Sequence, residues 1–322
     1  MAKPRIYITR KIPDKLLDPY NEKFDFRMWE KEDEAVPREV LKKEARQADG
    51  LLCVLTDQID EDLLKRAPDL KIVANMAVGY DNIDVDAAGK YGVIITNTPD
   101  VLTETTADLG FALLMAAARR MIEANQYIRK GEWKNWSPYL LAGSDIHHKT
   151  IGIAGMGRIG KAIARRAKGF GMSVVYYNRS RKPEAEKELQ AVYADFETLL
   201  AESDFVVSVL PLTADTKHKF NAEVFKKMKN SAIFINISRG GVVNETDLAE
   251  AIRTKQIKGA GLDVFENEPI AANHPFMQLE EIVCMPHIGS ASEETRSAML
   301  NLCLENIDGF FTGRGPKTPV EY

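Results

Sequence analysis

Residues 150–166 read TIGIAGMGRIGKAIARR. An apolar run ends at Gly155, glycines recur at Gly157 and Gly160, and a helical pattern begins at once. The first glycine permits a tight turn, the second lets backbone approach a pyrophosphate, and the third allows close helix-to-strand packing. Arg158 and Ile159 lie in the same junction, where a helix start offers unpaired N–H groups and its positive dipole end to phosphates. Ile159, Ile163, Ala167 and Phe170 recur at helical spacing, which gives the helix a face to bury against a sheet. G-x-G-x-x-G alone is a weak signal; in a strand, loop and helix it points to a dinucleotide site.

The next strand, SVVYY, runs into Asn178, Arg179, Ser180 and Arg181. An acid at this spacing accepts hydrogen bonds from the ribose hydroxyls of NAD, but the chain places no acid there. Arg179 and Arg181 could give charge-assisted bonds to a 2′-phosphate and Ser180 a hydroxyl bond, each charged bond being worth roughly 1.5–3 kcal/mol. The expected cofactor is NADP(H), with NAD(H) possible. A solvated basic loop is the plainer alternative.

Outward from this motif, Val- and Ile-rich runs alternate with helical patterns almost throughout, as parallel sheets with crossover helices require. Strands are expected near RIYIT, GLLCV, KIVAN and GVIIT, and again at TIGIAG, SVVYY, FVVSVL, AIFINI, KGAGLDV and EIVCM. Helices are expected at residues 37–46 and 61–66, as one long element at 103–129, and at 293–311. The fold class is α/β with two doubly wound parallel-sheet domains, a number that suits 322 residues.

With 43 basic and 47 acidic residues the net charge is −4, so no basic stripe suits a nucleic acid. The longest apolar run, LGFALLMAAA, is too short to span a bilayer, and the first residues do not form a signal-type core. A cytoplasmic protein is expected. Cys53, Cys284 and Cys303 lack C-x-x-C spacing and read as buried free thiols, and no His or carboxylate spacing suggests a metal.

INISRGGVVNE, LDVFENEP and MPHIGSAS put Arg239, Glu268 and His287 at the carboxyl ends of expected strands, where doubly wound sheets hold ligands. Singly, these could be an ion-pair partner, a loop acid and a core histidine. In this order they point to catalysis.

Together with AVGYDNID, VLTETTAD and GMGRIGKAIARR, these stretches make the chain similar to the D-isomer-specific 2-hydroxyacid dehydrogenase family, most closely its glyoxylate/hydroxypyruvate reductases. The resemblance implies a flavodoxin-like substrate domain, residues 1–98 with 288–322, and an inserted Rossmann nucleotide domain, residues 99–287, with a cleft between them. It implies that Arg239 binds the carboxylate and carbonyl of a 2-oxo acid, that His287 donates the proton, and that Glu268 bonds the other ring nitrogen. Val78 and Gly79 would hold the substrate carboxylate through their N–H groups. Thr106, Leu210, Pro211, Thr216, Ile237, Ser238 and Asp263 match positions lining the cofactor, although Asp263 could equally cap a helix and Pro211 simply end a strand.

The aromatic segment GEWKNWSPYLLAG, with Trp133, Trp136 and Tyr139, matches a dimerisation arm; a homodimer with Trp136 near the partner's pocket is expected, packing on its own chain being the alternative. The implied reaction is NADPH-dependent reduction of small 2-oxo acids. The alternatives are an NAD-linked D-2-hydroxyacid or phosphoglycerate dehydrogenase, and a non-catalytic nucleotide-sensing protein of the same fold.

Overall fold

The computed structural model describes residues 2–321. They divide into two compact units: the chain up to Leu102 together with the chain from Ala291 onward, and Thr103–Ser290.

The first unit contains β1 (Arg5–Ile8), β2 (Asp25–Met28), α1 (Arg38–Ala45), β3 (Gly50–Cys53), α2 (Glu61–Arg66), β4 (Ile72–Asn75), α3 (Val85–Tyr91) and β5 (Ile94–Thr96). Its strands lie in the order β2-β1-β3-β4-β5, all neighbours parallel, which is the flavodoxin-like doubly wound order. β3 and β4 are buried along their whole length because both faces of a parallel sheet are covered. Asp60 and Asp84 cap α2 and α3 by accepting backbone N–H bonds. The helix Glu293–Phe311, capped by Ser292, packs on β3 and β4 and buries Met299, Cys303 and Ile307.

The second unit runs α4 (Thr103–Ala118), α5 (Met121–Arg129), β6 (Thr150–Ala154), α6 (Arg158–Gly169), β7 (Ser173–Tyr177), α7 (Pro183–Leu189), β8 (Val192–Tyr193), α8 (Phe196–Glu202), β9 (Phe205–Ser208), α9 (Ala222–Phe225), β10 (Ile233–Asn236), α10 (Glu245–Arg253), β11 (Gly259–Leu262) and β12 (Ile282–Cys284). Its parallel sheet has the order β12-β11-β10-β9-β6-β7-β8. Period-two alternation sorts the core onto two faces. Ile151, Ile153, Val174, Tyr176, Phe205 and Val207 join α4 and α6, whereas Ala154, Val175, Val206 and Phe234 join α8 and α10.

Three expectations need correction. The long helix at 103–129 is two helices, because Arg120 adopts φ +52° and ends the α-helical ladder, while its guanidinium pairs with Glu123. The sheets also gain β2 and β8, edge strands outside the expected set: β2 is half polar, and β8 is two residues long. The three cysteines are free, but only Cys53 and Cys303 are buried; Cys284, at the end of the edge strand β12, is partly covered, and burial pushes its thiol up to about 12. No described helix is long and apolar enough to cross a membrane.

Candidate active site

In the second unit the chain turns from β6 toward β7 and β8 on one side, and later from β9 toward β10, β11 and β12 on the other. The order therefore reverses between β6 and β9, where an open α/β sheet forms a crevice at its carboxyl ends. Gly155 to Gly160, Asn178, Leu210, Arg239, Asp263 and His287 all follow such strand ends.

Gly155 has φ +107°, and a Cβ on Gly160 would stand 2.1 Å from the Gly155 carbonyl oxygen, so both positions exclude a side chain. Gly157, the N-cap of α6, is exposed, and a Cβ there would meet nothing within 4 Å. Space beside it is open for a ligand. The first turn of α6 has no acidic residue, whereas α7, α8, α9 and α10 each have at least one, so its positive dipole end is not neutralised. These features fit a dinucleotide pyrophosphate.

Asn178 ties the glycine loop to the basic loop: its Oδ1 accepts from the Met156 N–H at 3.2 Å and its Nδ2 donates to the Ser180 carbonyl at 2.9 Å. Arg179 and Ser180 are exposed. Arg181 is turned onto Glu186, donating from Nε at 3.1 Å and Nη2 at 2.7 Å. Across the crevice, Leu210 and Ile237 are buried, and Thr216 closes the loop after β9 by donating to the Pro211 carbonyl at 2.6 Å. Thr106, on α4, is buried near Gly289.

The Arg239 turn is organised by Asn236, fully buried at the end of β10. Its Oδ1 accepts from the backbone and hydroxyl of Ser238 at 3.1 and 2.8 Å, and its Nδ2 donates to the Arg239 carbonyl at 2.9 Å. Next to it, a Cβ on Gly240 would lie 1.8 Å from the Phe265 carbonyl carbon, so the Arg239 turn is seated directly on the loop that carries Glu268. The Arg239 Nη1 donates to the Ser238 carbonyl at 3.0 Å.

His287 Nδ1 and Glu268 Oε2 are 2.7 Å apart, with both side chains about one-fifth exposed. The other Glu268 oxygen accepts from the Phe265 N–H at 2.9 Å, which fixes the carboxylate. A carboxylate on Nδ1 orients the ring and selects its tautomer, with Nε2 on the side away from this contact. His287 sits at φ +52°, uncommon for a residue with a side chain. The two residues after it are clamped by Asp263, whose oxygens accept from the Ile288 and Gly289 N–H groups at 2.8 and 2.7 Å. Burial pushes the Asp263 carboxyl up to about 6, against the opposing pull of those N–H groups and of His287.

In the first unit, Val78 and Gly79 follow β4. The Val78 carbonyl accepts from Asn97 Nδ2 at 2.8 Å and the Gly79 carbonyl from Asn75 Nδ2 at 3.0 Å. A trans peptide aims its N–H opposite its carbonyl, so the Gly79 N–H faces away from Asn97 and can serve a carboxylate.

Arg239, Glu268, His287 and Asp263 are thus brought to adjoining loops of one unit. Asn236, Met156, Tyr176 and Glu186 were not legible as partners: Asn236 acts within its own turn, Glu186 and Tyr176 act around the basic loop, and Met156 meets Asn178 from the neighbouring strand end, and no motif marks any of these contacts. A separate groove of about 730 Å³ in this unit, lined by residues such as Ile122, Ile257 and Phe276, contains none of the site residues. Among the described residues no His, Cys, Asp and Glu cluster suits a metal.

The family model for the D-isomer specific 2-hydroxyacid dehydrogenase, NAD binding domain, matches residues 111–289, which span the glycine loop, Arg239, Glu268 and His287. A glyoxylate reductase from Korarchaeum cryptofilum is 50% identical over 99% of this chain and 96% of its own length. A crystal structure of a protein from Thermus thermophilus superimposes with a TM-score of 0.92 at 42% identity, covering 98% of this chain and 100% of that one. An NADPH-dependent glyoxylate/hydroxypyruvate reductase from Sinorhizobium meliloti, in complex with NADP and malonate, gives a TM-score of 0.85 at 34% identity, covering 99% of this chain and 97% of that one. With a nicotinamide-binding unit, a paired His and Glu, and relatives matched along nearly their whole length, the chain belongs to the D-isomer specific 2-hydroxyacid dehydrogenases, oxidoreductases acting on CH–OH groups.

Proposed function

We propose that the protein reduces small 2-oxo acids with NADPH, glyoxylate to glycolate and hydroxypyruvate to D-glycerate. The observation that carries this reading is the His287–Glu268 pair at 2.7 Å, seated on loops that adjoin the Arg239 turn. The names of the archaeal and Sinorhizobium relatives support the substrate class.

In this reading the unit holding β1–β5 is the substrate domain and the unit holding β6–β12 the nucleotide domain. Dihydronicotinamide, when bound, supplies the hydride. Arg239 binds the 2-oxo acid carboxylate with its planar fork. His287 passes the Nε2 proton to the carbonyl oxygen as negative charge develops there, and Glu268 balances the imidazolium and keeps the ring oriented. Asp263 fixes the backbone just after His287, which holds the imidazole in place between turnovers. Arg179 and Ser180 favour a 2′-phosphate, and NADH remains a usable second cofactor because Arg181 is shared with Glu186.

The test is His287→Ala. Turnover with glyoxylate should fall by about 10²–10⁴, the usual worth of a positioned acid, while the NADPH dissociation constant stays within about twofold. Turnover close to wild type would remove His287 as the donor.

A further inference from the structure

The basic loop after β7 carries two arginines in different situations. Arg179 is exposed and, among the described residues, has no carboxylate partner. Arg181 is held on three sides. Its Nε and Nη2 meet the two oxygens of Glu186 at 3.1 and 2.7 Å, and its guanidinium carbon stands 5.7 Å from the centre of the Tyr193 ring. Glu186 is itself anchored, since its Oε1 accepts from the hydroxyl of fully buried Tyr176 at 2.7 Å. The same hydroxyl accepts from the Lys182 N–H at 2.6 Å, so one tyrosine ties the end of the basic loop to the first turn of α7. The Glu186 side chain is 21% exposed and that of Arg181 64%. The acid is therefore the fixed member and the base the one that reaches outward.

We propose that Glu186 is a specificity-determining residue that restrains the preference for NADPH by competing with the 2′-phosphate for the Arg181 fork. The proposal rests on the reading that this loop receives the 2′-phosphate. A carboxylate and a phosphate oxygen ask for the same two parallel N–H donors, so Arg181 cannot satisfy both in full. The Glu186 charge also repels a dianion at the loop, whereas the 2′-hydroxyl of NADH has no charge for it to act on. Arg179 then carries the unopposed attraction, and Arg181 contributes only the part that Glu186 releases. Glu186→Gln keeps the size of the side chain and an oxygen for Tyr176, and the Tyr193 ring still supports the guanidinium. Loss of the charge should free Arg181 more than it disorders it.

Dissociation constants for NADPH and NADH, read from quenching of tryptophan fluorescence, decide the matter for wild type, Glu186→Gln, Arg181→Ala, the double variant and Arg179→Ala. Glu186→Gln should tighten NADPH by about threefold to tenfold and leave NADH unchanged. Most of that gain should vanish when Arg181 is also alanine, which is the coupling expected of a competed partner. Glu186→Asp, which retains the charge, should stay near wild type. Weaker NADPH binding by Glu186→Gln would mean that the acid orients Arg181, and an equal change for both cofactors, or none, would mean a structural role; each overturns the proposal. Arg179→Ala separates the two levels: if it weakens NADPH alone while Glu186→Gln does nothing, the 2′-phosphate reading stands and the Glu186 proposal fails. If neither arginine variant affects NADPH, the 2′-phosphate reading itself fails.

Discussion

Asp263 is 1% exposed, close to His287 and Glu268, and its carboxyl lies near 6 against an ordinary 3.8. Because the folded value is the higher one, the unfolded chain releases this proton first as pH rises. The contribution of Asp263 to stability is thus full below about pH 4 and is lost as pH climbs to about 6, a change of about 2–3 kcal/mol for a shift of this size. Urea midpoints of wild type and Asp263→Asn, compared from pH 4 to pH 7, should show wild type losing ground relative to the variant across that window. Parallel pH profiles would count against it. At this scale the residues that stand in ordered motifs, Arg239, Glu268, His287 and the three glycines, were legible as candidates. Asn236 and Glu186 were not, because an Asn at a strand end and a Glu in a helix first turn are common for purely local reasons.

Among the elements, those buried on both faces were legible from their apolar runs, and the glycine-bounded β6–α6 junction from its motif. The edge strands β2 and β8 were not, since edge positions are half solvated and carry polar residues. Nor was the break between α4 and α5, where Arg120 takes a left-handed conformation without a glycine or proline to announce it. The segment that follows α5 has no regular structure up to β6 and exposes Trp133, Trp136 and Tyr139, with Trp136 at 74% and Tyr139 at 86%. Large aromatics left this open are characteristic of an association surface, and we propose that this arm joins two copies of the chain. Light scattering should give twice the 36.0 kDa chain mass, and Trp136→Ala with Tyr139→Ala should shift it toward the single-chain value. A mass of one chain at every concentration would end the dimer proposal.

At the scale of the whole molecule, two parallel sheets of five and seven strands are built from a chain whose last long helix returns to the first unit. That interleaving was legible only through the resemblance to a family, because periodicity identifies strands without saying which sheet they join. In the proposed reading the chemistry belongs to loops that follow β6, β7, β10, β11 and β12, so no single segment states the function. The most direct measurement is the initial rate of NADPH and NADH oxidation by the intact enzyme with glyoxylate, hydroxypyruvate and pyruvate. The expected result is faster turnover of glyoxylate and hydroxypyruvate than of pyruvate, with NADPH ahead of NADH. Absence of turnover on all three acids, or a clear lead for NADH, would contradict it.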